Sequence, residues 1–378
     1  MSSVTKPLRM NSRIIVAHYY SQGSASSNRI SAYAKGFQQE GREVFLILGC
    51  TSYDSLPMIE GVRVVRAQSD NRRNITRRMV EAIKACYIQG NSAILIYGTP
   101  VLCWFLPKSK YNIFYECTEV PFYGRNKTAK SLLKEGIKLF LSRRATGMFV
   151  ISHALKRYFK NKGIKEIEII NMFVDSDRFD LPATNNKREN YVGYCGTISP
   201  YKDGVDILIQ AYAQFRNTHK DYCLKLIGKF ESKDAENYLK SLVRKLGISD
   251  SVCFTGIVAP DDMPDLLCEA RMLALARPNN EQAKYGFPTK LGEYLATGNP
   301  VVVTDVGEIG FFLKDGFNCR MAKPGDVMDF AEKMNWIADH YEEALRMGGN
   351  GKELTRTDFS SRHQCKKALN FMDNHAIL

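Results

Sequence analysis

The chain has 378 residues, 44% hydrophobic and 25% charged, which is the composition of a globular protein of about two domains. No apolar run reaches the roughly 18 residues that span a bilayer, and the N-terminus lacks the apolar core of a secretion signal, so we expect a cytoplasmic protein. Residues 1–180 hold 28 Lys and Arg against 14 Asp and Glu, a charge of +14, and the remaining residues carry −1, which gives the net charge of +13. Such an asymmetry is informative about binding partners rather than about the fold.

The first half of the chain alternates β-rich runs with helix-sized segments. RIIVAHYY (13–20), the glycine-serine loop SQGSASS, the helical pattern NRISAYAKGFQQEGR and the run EVFLILG (43–49) predict a βαβ unit. Further strands are predicted at 62–67, 93–98, 112–119, 147–152 and 167–175.

The second half repeats this alternation after a polar linker. The linker is LPATNNKREN (181–190), and the strands that follow are predicted at 191–198, 223–228, 252–258, 272–278 and 299–305. Two such series predict an α/β protein with two Rossmann-like domains that face each other across a cleft. We place the domains at 1–182 and 183–355, with a C-terminal helix at 356–378 packing back toward the first domain.

Two loops of the second half have residues suited to binding an anion. In parallel sheets, ligands bind beyond the carboxyl ends of the strands. GTISPYKDG (196–204) offers Gly196 for close backbone approach, the hydroxyl of Thr197 and Lys202 at the mouth of a helix, although Lys202 could also be a solvated loop lysine. Gly228 and Lys229 follow the next strand, where they form either a weaker site or a simple turn.

A third loop and the helix after it, KYGFPTKLGEYLATGNPVVVT (284–304), carry more information. The residue before a proline avoids helix, so the chain should enter the helix only after the Gly-Phe-Pro step. Free backbone amides and a hydroxyl at the helix start would then form an anion site. The amides are those of Thr289, Lys290 and Leu291 and the hydroxyl is that of Thr289, while Gly286, Phe287 and Pro288 keep the chain out of helix before them.

Glu293 lies about one turn into this helix. Its carboxylate could accept hydrogen bonds from a ribose diol, as Asp and Glu do in dinucleotide-binding folds. It could equally serve only to favour the helix N-terminus.

Four segments in this order resemble the retaining glycosyltransferases of family 4, which have the GT-B fold. They are GTISPYKDGVDILIQAYAQF, LKLIG, VCFTGIVAPDDMPDLLCEARMLALARP and GFPTKLGEYLATGNPVVVTDVGEIGFFL. The resemblance covers most of residues 190–330, and GSASSNRISAYAKGFQQEGREVFLI and NMFVDSDRF extend it more weakly into the first half. The GFPTKLGEYLATG form is similar to that of members from bacterial surface polysaccharide assembly.

The resemblance implies transfer of a sugar from a nucleotide-sugar donor, with retention of configuration and without a cofactor. Lys202 matches the lysine that contacts the donor diphosphate, and Glu293 the second glutamate of the family motif, which holds the ribose. The amides around residues 286–288 match the loop that meets the sugar and phosphates. Gly23 and Ser24 match the loop that faces the diphosphate from the first domain. With Lys202 and helix amides at the leaving group, we expect the transfer to need no metal.

The sequence departs from the family pattern at three places. Tyr285 replaces the first glutamate of the motif, which puts the donor sugar in doubt. Thr197 and Ile198 stand where an arginine often precedes the lysine, so Lys290 or Arg277 could supply the missing charge.

The third departure is in the first domain. Residues 100–150 contain no histidine where many members carry one, and ECTEVP (116–121) lies there instead. Glu119 is therefore a candidate for orienting or deprotonating the acceptor, although Glu116 and Glu119 could both be satisfied loop carboxylates.

Two other functions fit the same fold. A nucleotide-sugar epimerase would use carboxylates and histidines for proton abstraction. A degenerate nucleotide-sugar-binding protein would explain the loss of the first glutamate.

The segment GRNKTAKSLLKEGIKLFLSRRATG (124–147) is basic and has apolar residues at helical spacing. The apolar residues are Leu132, Leu133, Ile137, Phe140 and Leu141. The basic residues are Arg125, Lys127, Lys130, Lys134, Lys138, Arg143 and Arg144, opposed only by Glu135. The segment could lie on an anionic membrane, which would suit a lipid-linked or oligosaccharide acceptor, or it could be a core-facing helix with a solvated basic face. We do not expect nucleic acid binding, since no such motif accompanies the charge.

Overall fold

The computed structural model describes residues 12–21, 24–51, 55–120, 129–180 and 188–376, with only the backbone at 129–132 and 134. The chain divides into two compact units. The first unit comprises Met1–Asn171 together with Ser361–Leu378, and the second comprises Met172–Ser360.

The first unit is a seven-stranded parallel sheet with helices between its strands. Its strands are β1 (Arg13–Tyr19), β2 (Glu43–Cys50), β3 (Val62–Gln68), β4 (Ser92–Tyr97), β5 (Ile113–Cys117), β6 (Gly147–Val150) and β7 (Ile167–Ile169). Its helices before the second unit are α1 (Ala25–Gln39), α2 (Arg72–Cys86), α3 (Leu102–Phe105), α4 (Ala129–Ser142) and α5 (His153–Asn161). The strand order is β3-β2-β1-β4-β5-β6-β7, so the order reverses between β1 and β4.

The second unit is a six-stranded parallel sheet of the same kind. Its strands are β8 (Glu189–Cys195), β9 (Cys223–Ile227), β10 (Val252–Gly256), β11 (Ala270–Leu275), β12 (Val301–Thr304) and β13 (Arg320–Ala322), in the order β10-β9-β8-β11-β12-β13. Its helices are α6 (Pro200–Asp203), α7 (Val205–Phe215), α8 (Lys233–Lys245), α9 (Met263–Cys268), α10 (Glu281–Tyr285), α11 (Lys290–Ala296), α12 (Ile309–Phe312), α13 (Val327–Asp339) and α14 (Tyr341–Glu353). A 3₁₀ turn covers Ser176–Phe179, and the last helix, α15 (Ser361–Asn374), belongs to the first unit.

The predicted α/β class with two Rossmann-like domains is confirmed, because each unit is an open parallel sheet built from βα repeats. The apolar strand runs are buried on both faces, as in β4, where every residue is buried. All ten cysteines are free thiols, and no described helix is long and apolar enough to cross a membrane.

The first unit ends before the predicted boundary at residue 182. The strand predicted at 167–175 stops at Ile169, and the chain then enters the second unit. There the Val174 amide donates to the Phe359 carbonyl (3.2 Å), and Met172 lies against Gly292 of α11. This pairing holds residues 172–180 on the second unit.

Helix α15 packs on α1 of the first unit. A side chain at Gly36 would overlap the Cys365 thiol, so the backbone of α1 packs directly against a side chain of α15. The Gln364 amide oxygen also accepts from the Asn171 amide (3.0 Å).

Helix α4 does not turn all of its apolar residues inward. Leu133, Ile137 and Phe140 are exposed, whereas Leu141 is buried. The alternative of a wholly core-facing apolar stripe is therefore wrong for these three residues. Arg125, Lys127 and the rest of residues 121–128 lie outside the described part of the chain, as do the side chains of Lys130, Leu132 and Lys134.

Candidate active site

The loop after β8 brings Lys202 to the carboxyl edge of the second sheet, beside the point where the strand order reverses. Ser199 caps the short helix α6, because its hydroxyl accepts from the Lys202 amide (2.9 Å). The same hydroxyl donates to Glu231 in the loop after β9. Lys202 is half-buried on α6, as expected for a side chain at the mouth of this loop.

Two further cations converge on one buried carboxylate at this edge. Asp203 is 2% exposed, and its Oδ2 lies 2.6 Å from Lys290 Nζ while its Oδ1 lies 3.7 Å from Arg277 Nε. Burial alone would raise the pKa of Asp203, but the charges of Lys290 and Arg277 and the hydrogen bonds from Lys290 and Tyr194 outweigh it and lower the pKa below its usual value. The carboxylate therefore stays ionised, and two positive charges face one negative charge.

Tyr194 completes this cluster at the end of β8. Its hydroxyl donates to Asp203 Oδ2 (2.9 Å) and accepts from Lys290 Nζ (2.9 Å). Lys290 Nζ also lies 4.4 Å from the centroid of the Tyr194 ring, which adds a cation–π contact. We name Lys290, Arg277, Asp203 and Tyr194 the cation cluster.

The cation cluster holds both residues suggested as replacements for the family's missing arginine. Lys290 Nζ lies over the backbone of Gly196, where a side chain would overlap it. Lys290 and Arg277 thus lie together at the end of β8. Asp203 and Tyr194 were not predicted, because nothing local to their sequence distinguishes them from ordinary loop and strand residues.

Glycines allow the loops of this edge to pack backbone against backbone. Gly204 has φ 64°, and a side chain there would overlap the Ala276 carbonyl at the end of β11. Gly228 has φ 136°, and a side chain there would overlap the Gly196 carbonyl. Gly228 therefore belongs to the site edge, while Lys229 beside it is exposed.

Some backbone amides in and next to the loop before α11 donate hydrogen bonds within the protein. The Gly286 amide donates to the Gln282 carbonyl (2.9 Å), and the Leu291 amide donates to the Pro288 carbonyl (3.0 Å). The expectation that these two amides are free for an anion is wrong, because they close α10 and the first turn of α11. Thr289 has helical backbone angles and makes no side-chain cap, so it lies within that first turn.

Phe287 anchors this loop. Its side chain is 7% exposed and packs against Phe312 and Phe359, at ring-centroid distances of 5.7 and 5.6 Å. The side chain of Phe287 is therefore part of the core of the second unit, and only its backbone can face a ligand.

Glu293 lies near an arginine that the sequence did not suggest. Its Oε1 is 3.5 Å from Nη1 of Arg178, whose Nη2 donates to the Pro260 carbonyl (2.8 Å). The Glu293 side chain is 19% exposed, so a ligand hydroxyl can still reach it. The arginine escaped prediction because it is 115 residues away in sequence.

Tyr285 ends α10, directly before Gly286, and is half-buried. If Tyr285 lines the donor-sugar pocket, replacing it with glutamate should change the ranking of donors. A carboxylate would accept hydrogen bonds from sugar hydroxyls where the phenol presents a ring. The measurement is the relative kcat/KM for a panel of nucleotide sugars, with Tyr285→Phe as the control for loss of the hydroxyl alone. An unchanged ranking at wild-type rates would remove Tyr285 from the site.

The carboxyl edge of the first sheet has a different character. Glu116 is fully buried and paired with Arg29, so it is a structural carboxylate rather than a group that faces a ligand. Glu119 is exposed on the loop after β5, and its carbonyl accepts from the Cys117 thiol (3.0 Å). Ser24 caps α1 by accepting from the Ser27 amide, and Gly23 lies outside the described residues.

His18 is a buried group at this edge that no motif of the sequence marks. Its Nδ1 lies 3.4 Å from the Tyr97 carbonyl, and burial lowers its pKa to about 4, so it is neutral near pH 7.

Residues 175–177 form an Asp-Ser-Asp triplet, which in other proteins can hold a divalent ion. Asp175 and Asp177 flank the start of the 3₁₀ turn. Within the described ranges, no three His, Cys, Asp or Glu side chains come together in a way that could hold a metal.

Comparison with known proteins finds a family match within the second unit. Residues 189–340 match the family model of the glycosyl transferases group 1. This match spans the cation cluster, Lys202 and Glu293.

Curated relatives extend this similarity over part of the chain. Mannosylfructose-phosphate synthase of Agrobacterium fabrum is 29% identical over 180 residues, which are 46% of this chain and 38% of that protein. The chain thus spans less than half the length of this relative. The 2-deoxystreptamine glucosyltransferase of Streptomyces kanamyceticus is 19% identical over 276 residues, 68% of this chain and 69% of that protein.

Solved structures match the fold over nearly the whole chain. Anabaena HepE in complex with UDP and glucose has a TM-score of 0.75 at 17% identity and covers 96% of this chain and 99% of its own. Sucrose-phosphate synthase of Thermosynechococcus elongatus has a TM-score of 0.74 at 16% identity, covering 96% and 98%. The predicted GT-B fold is thereby confirmed.

Proposed function

We propose that this protein is a glycosyltransferase that moves a sugar from a nucleotide-sugar donor to a glycan acceptor. The observation that carries the proposal is the cation cluster at the carboxyl edge of the second sheet, within the group 1 glycosyltransferase segment. A nucleoside diphosphate gains negative charge as its bond to the sugar breaks. Fixed positive charges at that place stabilise the transition state more than the bound donor.

The reaction that suits these residues breaks the bond between the anomeric carbon and the diphosphate oxygen. Lys290, Arg277 and Lys202 would neutralise the departing diphosphate, so we propose that the protein's own cations take this role without a metal ion or cofactor. The acceptor hydroxyl would attack the face from which the diphosphate departs, which retains the configuration. Glu119 is our candidate for orienting that hydroxyl or accepting its proton.

For the donor we propose a nucleoside diphosphate hexose, and for the acceptor a lipid-linked or oligosaccharide chain of a bacterial surface polysaccharide. The complex of Anabaena HepE with UDP and glucose supports the donor class. The excess of basic residues in the first half supports an anionic acceptor environment, as on the inner face of the cytoplasmic membrane.

The experiment that tests the proposal is incubation with radiolabelled nucleotide sugars and a panel of glycan and lipid-linked acceptors, with and without EDTA. Label in the acceptor, with an anomeric proton that keeps the donor configuration, is the expected result. Release of an epimerised nucleotide sugar would assign an epimerase instead. Donor binding by thermal shift without any turnover would assign a binding protein.

Replacing Lys202 or Glu293 with alanine should each lower kcat/KM by about 10- to 150-fold. Loss of a charge-assisted hydrogen bond to the donor costs about 1.5–3 kcal/mol, which corresponds to that range. Neither variant should change the melting temperature much, because neither side chain is fully buried.

The matched controls are Lys220→Ala and Glu332→Ala, which remove the same charges from exposed positions elsewhere in the second unit. If either site variant behaves like its control with the correct donor, the role assigned to that residue is wrong.

A further inference from the structure

The first unit exposes a cluster of large apolar side chains on α3 and α4. Six of the thirteen such side chains exposed in the described residues lie here, between 38% and 66% exposed. They are Val101, Trp104, Phe105, Leu133, Ile137 and Phe140, which we name the α3–α4 patch. Trp104 and Phe140 join the two helices, since their ring centroids are 6.1 Å apart.

The buried contacts of α4 are made by side chains other than those in the patch. The inward face of α4 is formed by Leu139 and Leu141, which are 9% and 8% exposed, and by Glu135, which accepts a hydrogen bond from the Tyr158 hydroxyl. Leu133, Ile137 and Phe140 repeat at intervals of four and three residues, so they line one separate face of the helix. This second apolar face is turned to the outside.

The stretch of sequence that contains the patch is strongly basic. Residues 101–165 contain 14 Lys and Arg but only three Asp and Glu, and two of those acids, Glu116 and Glu135, are buried. Lys108 and Lys110 are exposed just after α3, and Lys138 is exposed on α4. The surface that covers this patch should therefore be apolar at its centre and anionic around it.

Arg144 places a positive charge against an aromatic ring of the α3–α4 patch. Its guanidinium carbon lies 5.1 Å from the centroid of the Trp104 ring, and its Nε donates to the Cys103 carbonyl (3.2 Å). The indole is thus held at the rim of the patch with a cation on its face. An aromatic ring beside cations at the edge of an apolar patch matches the interface between lipid headgroups and acyl chains.

We propose that the α3–α4 patch inserts into the interfacial layer of an anionic lipid bilayer, with Trp104 and Phe140 as its anchors. The lysines and arginines around the patch would contact anionic headgroups. This inference rests on exposure and charge in the first unit and does not depend on the proposed sugar transfer. It also goes beyond the basic helix of 124–147, because α3 supplies half of the patch and the apolar face points outward.

Tryptophan fluorescence tests the insertion directly. The chain has two tryptophans, so Trp336→Phe in the full-length protein leaves Trp104 as the reporter. With vesicles of phosphatidylglycerol and phosphatidylcholine, the emission should shift to the blue and be quenched by brominated acyl chains. Binding should weaken as salt is raised. Pelleting with these vesicles but without shift or quenching would overturn the insertion, and equal binding to pure phosphatidylcholine would overturn the anionic requirement.

A matched pair of variants tests the anchors. Trp104→Ser with Phe140→Ser should lower the partition coefficient by about tenfold for each side chain removed. Ile257→Ser with Phe311→Ser, which removes even more exposed apolar side chains from the second unit, should leave binding unchanged. Equal losses in both pairs would overturn the proposal. So would a wild-type dimer in sedimentation velocity that the first pair dissociates, because a second copy would then cover the patch.

Discussion

Replacing Arg29 with methionine is expected to destabilise the first unit by about 3–5 kcal/mol, because the change leaves a buried carboxylate without its cation. The Arg29 and Glu116 side chains are 2% and 0% exposed, and Nη2 and Nε of Arg29 lie 2.6 and 2.9 Å from Glu116 Oε1. Arg29 also donates to the carbonyls of Ile170 and Asn171, both at 3.0 Å, so its loss frees two further acceptors. The measurement is urea unfolding of the transition that belongs to the first unit.

The loss of stability caused by Arg29→Met should increase as the pH rises. Burial raises the pKa of Glu116 even though Arg29 opposes it, and without Arg29 this pKa should rise further. A carboxyl whose folded pKa lies above its unfolded pKa loses stability as pH rises through that interval, since the unfolded chain ionises first. Arg29→Met should therefore cost less at mildly acidic pH than at pH 8.

Two further variants separate the buried pair from a general effect of losing an arginine. Arg77→Met removes a cation from an exposed pair in which the side chains are 70% and 65% exposed, and should cost less than about 1 kcal/mol. Adding Glu116→Gln to Arg29→Met should recover part of the loss, because the buried charge is then gone. A cost for Arg29→Met no larger than for Arg77→Met would show that the pair does not stabilise the unit.

Replacing Lys290 with methionine is expected to lower kcat/KM for sugar transfer by about 10²–10³-fold, the loss typical of removing one group that stabilises transition-state charge. Lys290 Nζ is fixed by Asp203 and Tyr194 and so needs little reorganisation to meet a diphosphate. The fold should survive, because Asp203 keeps Arg277 and Tyr194 as partners. The measurement is steady-state transfer, together with thermal shift by nucleoside diphosphates and by pyrophosphate.

The matched control is Lys284→Met, which removes the same charge from an exposed residue of the neighbouring helix α10. Lys290→Arg should recover part of the rate if charge is the contribution of this residue. A Lys290→Met enzyme that still gains wild-type stability from pyrophosphate, with an unchanged rate, would remove Lys290 from the donor site.

The sequence alone determined the order of strands and helices, and hence two parallel α/β sheets. Buried parallel strands need continuous apolar runs, and the loops between them need glycine or polar residues, so both signals are local. The positions of Lys202 and Glu293 at the carboxyl edge of the second sheet could be predicted from local sequence for the same reason, because each residue follows a predicted strand or loop within a few residues.

Only the tertiary structure decided which charges meet. Lys290 and Asp203 are 87 residues apart in sequence, as are Arg29 and Glu116, and no pattern within one element could have paired them. Packing also buried the Arg29–Glu116 pair completely and left Lys290 of the other pair partly exposed at the carboxyl edge of the second sheet. Burial, not residue type, therefore separates the two pairs.

The sequence did not determine which face of α4 is buried, for a related reason. Helical periodicity identifies the apolar positions of α4. When these positions lie on two faces, periodicity does not predict which face is buried in the fold. Leu139 and Leu141 are buried in the folded unit, whereas Leu133, Ile137 and Phe140 are exposed, with Phe140 beside Trp104. That choice depends on contacts with strands and helices far away in sequence, and so it exists only in the folded chain.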